Sequence, residues 1–203
     1  MSKEKNQQTE ERILETAIEV FQERGMAATR MQEIADRAGI NKALLHYYFR
    51  SKQQLFEAVF SKCFMQFAPK VNSIFQSEEP LFDKLYRFAD NYITFMLKNR
   101  FLVPFIVQEM NNNSEFAFSF LDSVNRPDPT IISGQIKAEI EAGIIKPIHP
   151  KQLLLSIFSL VAFPFAAQVL IKGLLKMDDE EFVTLMNERK TLIPDMIKNA
   201  LKP

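Results

Sequence analysis

The sequence predicts an all-α protein with two parts, an N-terminal helical unit over residues 8–54 and a larger helical domain over 55–203. Three observations carry this. Apolar residues recur at helical spacing through long stretches. Only five glycines occur in 203 residues, and no segment shows the Val/Thr-rich alternation of a strand. The breaks between periodic stretches carry helix caps and prolines. A hydrophobic content of 47% is ample for a sizeable core.

The elements follow in order. Residues 1–8 are polar and are expected to fray. Ile13, Ala17, Val20 and Phe21 share one face of a helix from about Thr9 to Arg24. Thr29 has N-cap chemistry, and Gln32 three positions on completes the spacing of a capping box. Met31, Ile34 and Ala35 then stripe a short helix that ends at Ala38 and Gly39, where glycine suits the left-handed conformation. Ile40 is placed to plug the corner that follows. Asn41 is a second N-cap, opening a helix in which Leu44 and Leu45 can face inward while Lys42, Ala43, His46 and Tyr47 fall on another face. Ser51 caps a long helix to about Phe75. Lys52 stands in its first turn, where a cation opposes the helix dipole and a phosphate partner would account for it.

Ser77 to Pro80 breaks the chain. Helices are expected over Leu81–Lys98, Phe101–Asn111 and Ser114–Val124, with Asn111 to Asn113 as a turn. Asn125 to Pro129 is a strong break. A helix over Thr130–Ala142 closes at Gly143, and Pro147 and Pro150 lead into one over Lys151–Leu175. Asp178 caps the last helix, Glu181 completes a box, and the helix runs to about Leu201. Leu153 to Ile171 is almost uncharged and near the ~20 residues of a membrane span. It holds Ser156, Ser159, Pro164 and Gln168, and is read as a buried helix, with no membrane partner.

Two short helices joined through a glycine turn, the second with Asn and Lys at its start, form the layout of a helix-turn-helix that reads the major groove. Charge agrees. Residues 24–52 hold six cations (Arg24, Arg30, Arg37, Lys42, Arg50, Lys52) and two acids (Glu33, Asp36), a net of +4, whereas the whole chain balances 25 against 25. Phosphate contacts supply most non-specific affinity, so a local basic patch on a neutral chain points to nucleic acid.

Residues 8–60 resemble the DNA-binding domain of TetR-family transcriptional regulators. The resemblance rests on ILETAIEVFQERG (Ile13 to Gly25), the Thr29-to-Ala35 run ending in IA, AGINKALLHYYF (Ala38 to Phe49) and SKQQLF (Ser51 to Phe56). Two positions depart from the pattern: Ala43 precedes apolar Leu44, and His46 stands where the family often has Tyr. The resemblance implies that Tyr47 and Lys52 meet backbone phosphates and that Asn41, Lys42, Ala43 and His46 lie near bases. Thr29 and Arg30 complete the expected DNA-binding set. It also implies a homodimer through the last two helices, about 151–175 and 178–201, on a palindromic double-stranded operator.

Sixteen of the nineteen Phe lie between Leu55 and Val169, dense even for a core. Ligand sites are mostly apolar with a few polar anchors, so this region is expected to hold an apolar or aromatic effector. The expected lining is Phe64, Phe67, Tyr86, Tyr92, Phe95, Phe105, Gln108, Phe120 and Gln168; Asn91 and Glu109 are further candidate anchors. The expected function is a ligand-responsive regulator, a repressor released from its operator when the effector binds. A helical carrier whose basic motif no longer reads DNA is the alternative that apolar Leu44 keeps open.

Enzyme chemistry finds no support. His46 belongs to the basic motif, His149 precedes a proline, and there is no phosphate-cradling Gly loop, nucleophile elbow or metal-ligand spacing. No cofactor is expected. Cys63 is the single cysteine, which excludes an intrachain disulfide. Residues 1–12 are polar and carry no secretory signal, so a cytoplasmic protein is expected.

Overall fold

A computed structural model describes residues 3–103 and 128–203. Among the described residues there are nine helices and no strand. They are α1 (Lys3–Ala28), α2 (Met31–Arg37), α3 (Lys42–Tyr48), α4 (Lys52–Gln76), α5 (Leu81–Lys98), α6 (Pro129–Glu141), α7 (Pro150–Ala166), α8 (Gln168–Leu175) and α9 (Asp179–Leu201). The chain forms two compact units, Met1–Gln66 and Phe67–Pro203. The helices expected over Phe101–Asn111 and Ser114–Val124 fall largely outside the described residues.

In the first unit, α1 buries the face anticipated for it: Ile13, Ala17, Val20 and Phe21 are fully buried. Ile34, Leu45, Leu55, Phe56 and Val59 complete the core, and the Phe21 and Phe56 rings meet at 4.8 Å. Two expectations change. Residues 3–8 are helical rather than frayed. Tyr48, at the end of α3, donates its hydroxyl to both the backbone and side-chain oxygens of Asn6, which ties down that first turn. At the other end Gly25 interrupts α1 with φ 70 and ψ 168, and the chain resumes helical geometry to Ala28.

In the second unit α5 packs mainly on α9, and α7 touches α5, α6, α8 and α9. Lys190–Asp90 (3.1 Å) and Lys198 over the Phe82 ring (5.7 Å) link α5 to α9. Lys84 is only 2% exposed. It donates to the Phe75 carbonyl at the end of α4 (3.2 Å) and to Gln135 Oε1 on α6 (2.6 Å). Burial pulls its pKa below the usual lysine value, against the opposing pull of Glu79 and Glu139.

The helix expected over Lys151–Leu175 is two helices. α7 and α8 meet at 79°, with Ala167 out of helical geometry at φ −109, ψ 26. Pro164 lies inside α7 and has no N–H for the Leu160 carbonyl one turn back. Arg189 of α9 supplies that donor from Nη2 at 2.8 Å. No single helix among the described residues is long and apolar enough to cross a membrane.

Candidate nucleic-acid interface

Local chemistry builds the α2–α3 corner. Ile40 N–H donates to the Ala35 carbonyl (3.0 Å) and Gly39 N–H to the Asp36 carbonyl (3.1 Å), the paired bonds of a Schellman motif. That motif needs a left-handed residue, and Gly39 sits at φ 64. Asn41 then caps α3, its Oδ1 accepting from Leu44 N–H at 2.7 Å. The cap occupies the side-chain oxygen and leaves the Nδ2 amide as a donor for an outside partner.

Fully buried Leu45 anchors α3. The opposite face is open: Asn41, Lys42 and Ala43 are exposed, and Tyr47 is 72% exposed, packed edge-on against Tyr48 at 5.4 Å. Leu44, the apolar departure at the tip, is half-buried. His46 is half-buried too, and its Nδ1–H donates to the Arg50 carbonyl at 3.3 Å. That bond directs the neutral ring to keep Nε2 as an acceptor.

The structure separates the residues expected to contact DNA. Asn41, Lys42, Ala43 and Tyr47 share the open face of α3, and Arg30 is exposed at the start of α2. Thr29 is not presented: it is 2% exposed and its hydroxyl donates to the Gly25 carbonyl at 2.7 Å. The expected capping box is therefore absent, and Arg30 is the N-cap of α2 with no side-chain cap bond. Gln32 donates instead to Asp36 Oδ1 at 2.7 Å. Lys52, expected at a backbone phosphate, has partners within the unit. Its Nζ donates to the carbonyls of Met26 (2.9 Å), Ala27 (3.3 Å) and Thr29 (3.2 Å), which occupies all three ammonium protons.

The basic footprint is narrower than the sequence count. Arg24 pairs with Glu33 at 3.0 Å, and Arg37 bridges Glu23 (2.7 Å) and Glu33 (3.2 Å). Hydrogen bonding from Arg37 holds the Glu23 carboxyl below its ordinary pKa. Arg30, Lys42 and Arg50 are exposed and make no ion pair among the described residues. Arg50 was missing from the expected set. Its signal was present in the charge count and in its position just before the Ser51 cap, whose Oγ accepts from Gln54 N–H at 3.1 Å.

The residues expected around an effector are also sorted. In the second unit Phe67 stacks on Phe95 with centroids 4.5 Å apart, and Tyr92 meets Phe67 edge-on at 5.8 Å. Burial pushes the Tyr92 phenol up to about 12. Phe64 belongs to the first unit, against Phe60 at 6.1 Å. Tyr86 donates its hydroxyl to Asp195 of α9 at the surface. Gln168 opens α8 at the bend. Phe105, Gln108, Phe120 and Glu109 lie outside the described residues. No group of three or more His, Cys, Asp or Glu that could hold a metal occurs among the described residues.

Comparison with known proteins gives the same picture. Residues 13–59 match the model of bacterial regulatory proteins of the tetR family. An HTH-type transcriptional regulator of Bacillus subtilis (strain 168), YhgD, is 22% identical over 139 residues, spanning 68% of this chain and 73% of that protein. The negative regulator IcaR of a Staphylococcus aureus (strain Newman) biofilm operon is 30% identical over 107 residues, spanning 53% of this chain and 56% of that protein. Among solved structures, a TetR transcription regulator from Haloarcula marismortui superposes with a TM-score of 0.70 at 16% identity, over 97% of this chain and 100% of its own. HlyIIR, a hemolysin II transcriptional regulator, gives 0.58 at 22%, over 98% and 99%. Those last two likenesses show the fold. The sequence match identifies residues 13–59 as similar to the DNA-binding domain of bacterial regulatory proteins of the tetR family.

Proposed function

We propose that the protein is a homodimeric repressor that reads a palindromic operator and releases it on binding an apolar or aromatic effector. The observation that carries the DNA reading is the open face of α3, with Asn41, Lys42, Ala43 and Tyr47 exposed over a buried Leu45. Asn41 Nδ2 and Lys42 lie at the N-terminal end, which enters the major groove in a helix-turn-helix. Tyr47, Arg30 and Arg50 have the exposure and chemistry for phosphate contact.

The apolar surface of the last helices supports the dimer. Leu155, Phe163, Val169, Leu174 and Met196 are each at least half exposed. So large an exposed apolar set needs a covering surface, and a second copy is the cover we assign. A palindromic operator then requires the two copies of α3 to stand about 34 Å apart, one turn of duplex. IcaR is named a negative regulator, which favours repression here. The Phe67–Tyr92–Phe95 cluster supports the effector reading. α4 carries the chain from the first unit into the second as one helix, a covalent route for coupling.

Selection from a random duplex library, followed by mobility shift, tests the DNA reading. A palindromic consensus is expected. Lys42→Ala should lower the magnitude of the salt slope by about 0.9, one phosphate contact, or relax one base position if Lys42 meets a base edge. Absence of any enriched sequence would remove the proposal.

A further inference from the structure

We propose that His46 is a proton-linked phosphate contact: the ring meets the DNA backbone as an imidazolium, so the protein takes up a proton at each half-site and binds more tightly as pH falls. This rests on the DNA-binding reading above. The N-terminal residues of a recognition helix reach base edges, which leaves the C-terminal end of α3 and the turn after it to the backbone. His46 lies there, beside exposed Tyr47 and one turn before exposed Arg50. Its ring is tied at one nitrogen. Nδ1–H donates to the Arg50 carbonyl at 3.3 Å, and the Arg50 N–H is itself held by Gln54 Oε1 at 3.2 Å. A carbonyl can only accept, so Nδ1 carries a proton in both ring states. The other nitrogen, Nε2, is then a bare acceptor in the neutral ring and an N–H donor in the cation.

A phosphate oxygen is also only an acceptor. The neutral ring has no donor left for it, whereas the imidazolium brings an N–H and a full charge. The surroundings supply no competing anion. Lys42 and Tyr47 share α3 with the ring, and Arg50 and Lys52 follow it. Tyr48 turns to α1, where it meets uncharged Asn6. α2, which packs on α3, brings Glu33, Asp36 and Arg37. Both of its acids are engaged: Glu33 pairs with Arg24 (3.0 Å) and Arg37 (3.2 Å), and Asp36 accepts from Gln32 (2.7 Å). Among the described residues no carboxylate forms an ion pair with His46. The anion that would hold a second proton on the ring comes with the duplex.

The test uses the full-length protein and a random duplex library selected separately at about pH 8 and about pH 6, a window in which histidine changes charge. The chain has two histidines, and His149 stays in place throughout. The same consensus is expected at both pH values. Wild type should bind it about fivefold more tightly per half-site at the lower pH, as one charge-assisted hydrogen bond forms over part of its titration. The salt slope should grow in magnitude by about 0.9 per half-site. His46→Leu should bind at both pH values as wild type does at the higher one. His46→Lys, charged throughout, should bind at both as wild type does at the lower one. A wild-type affinity that ignores pH would overturn the proposal, as would a pH effect that persists in His46→Leu. A consensus that changes at a base pair between the two selections places Nε2 at a base edge and overturns the phosphate contact. Failure to enrich any sequence at either pH removes the DNA reading and this inference with it, whereas enrichment without pH dependence removes only the role of His46. If the variants do not fold, the wild type still answers by NMR: the His46 ring must titrate at a higher pH with the selected duplex than without it, and an unchanged titration refutes the linkage.

Discussion

Arg189 and Pro164 should be energetically coupled although they are 25 positions apart. Pro164 leaves the Leu160 carbonyl without its i+4 donor, and Arg189 Nη2 fills the gap at 2.8 Å. A hydrogen bond from a charged donor contributes about 1.5–3 kcal/mol. The same side chain carries a cost. Its Nε is buried with no hydrogen-bond partner among the described residues, and burial pulls the guanidinium's pKa down from the usual arginine value. An unpaired buried N–H costs about 1–3 kcal/mol. Arg189→Met loses the bond and relieves the cost, so its net destabilisation should be about 1 kcal/mol.

In a Pro164→Ala background the balance changes. The backbone N–H that this substitution restores can donate to the Leu160 carbonyl within α7, so the Arg189 bond becomes redundant while its desolvation remains. Arg189→Met should then be neutral or stabilising. The cycle predicts a coupling of about 1–2 kcal/mol, above the ~0.3–0.5 kcal/mol scatter of independent sites. Urea unfolding of the four proteins at one fixed protomer concentration measures it, because dimerisation would otherwise shift apparent stability. Equal costs of Arg189→Met in both backgrounds would refute the account of α7.

Tyr92 makes an alkaline prediction. Its folded pKa is raised to about 12 from 10.0, so the native state holds the proton longer than the unfolded chain. Its contribution is fully present below pH 10 and is lost as pH rises to about 12, at most about 2.7 kcal/mol by linkage. Wild type should lose stability more steeply than Tyr92→Phe in that window, and a tyrosinate absorbance titration should show one late phenol that the variant lacks. Gly39→Ala should cost about 1–2 kcal/mol in thermal or urea unfolding, from the left-handed backbone at φ 64 alone, because an added Cβ meets nothing within 4 Å. Leu174→Glu, at a position 70% exposed, should convert a dimer to monomer in sedimentation while leaving the helical circular dichroism unchanged. A loss of helicity instead would place Leu174 in the core of its own protomer.

Most helix ends were legible before the structure. Asn41, Ser51 and Asp178 each accept from an N–H three positions on, and Gly39 and Gly143 take the left-handed geometry at helix ends. These features depend on residues within one turn, so a linear reading finds them. The buried face of α1 was equally readable, since the 3.6-residue period maps sequence onto surface directly. The exposed half of α3 followed from the same period and from the Asn41 cap. The break at Ala167 was not legible, because Pro164 suggests a kink near itself while Arg189, distant in sequence, carries the helix past it. Residues 3–8 gave no apolar pattern, and their helix depends on Tyr48 reaching Asn6 across 42 positions.

Two side chains have bonding partners with no sign in the sequence, and for one reason. Lys52 and Tyr86 carry polar groups whose partners lie outside any periodic pattern, whereas Thr29 bonds to the Gly25 carbonyl only one turn back. Lys52 finds three carbonyls 23–26 positions away, and Tyr86 finds Asp195 across 109. The amino-acid order dictates helix class, caps and apolar faces because backbone propensity and burial act locally or periodically. The order leaves open where a long polar side chain ends. A donor in a folded protein takes whichever acceptor packing brings within about 3 Å, and that geometry exists only once the helices have assembled.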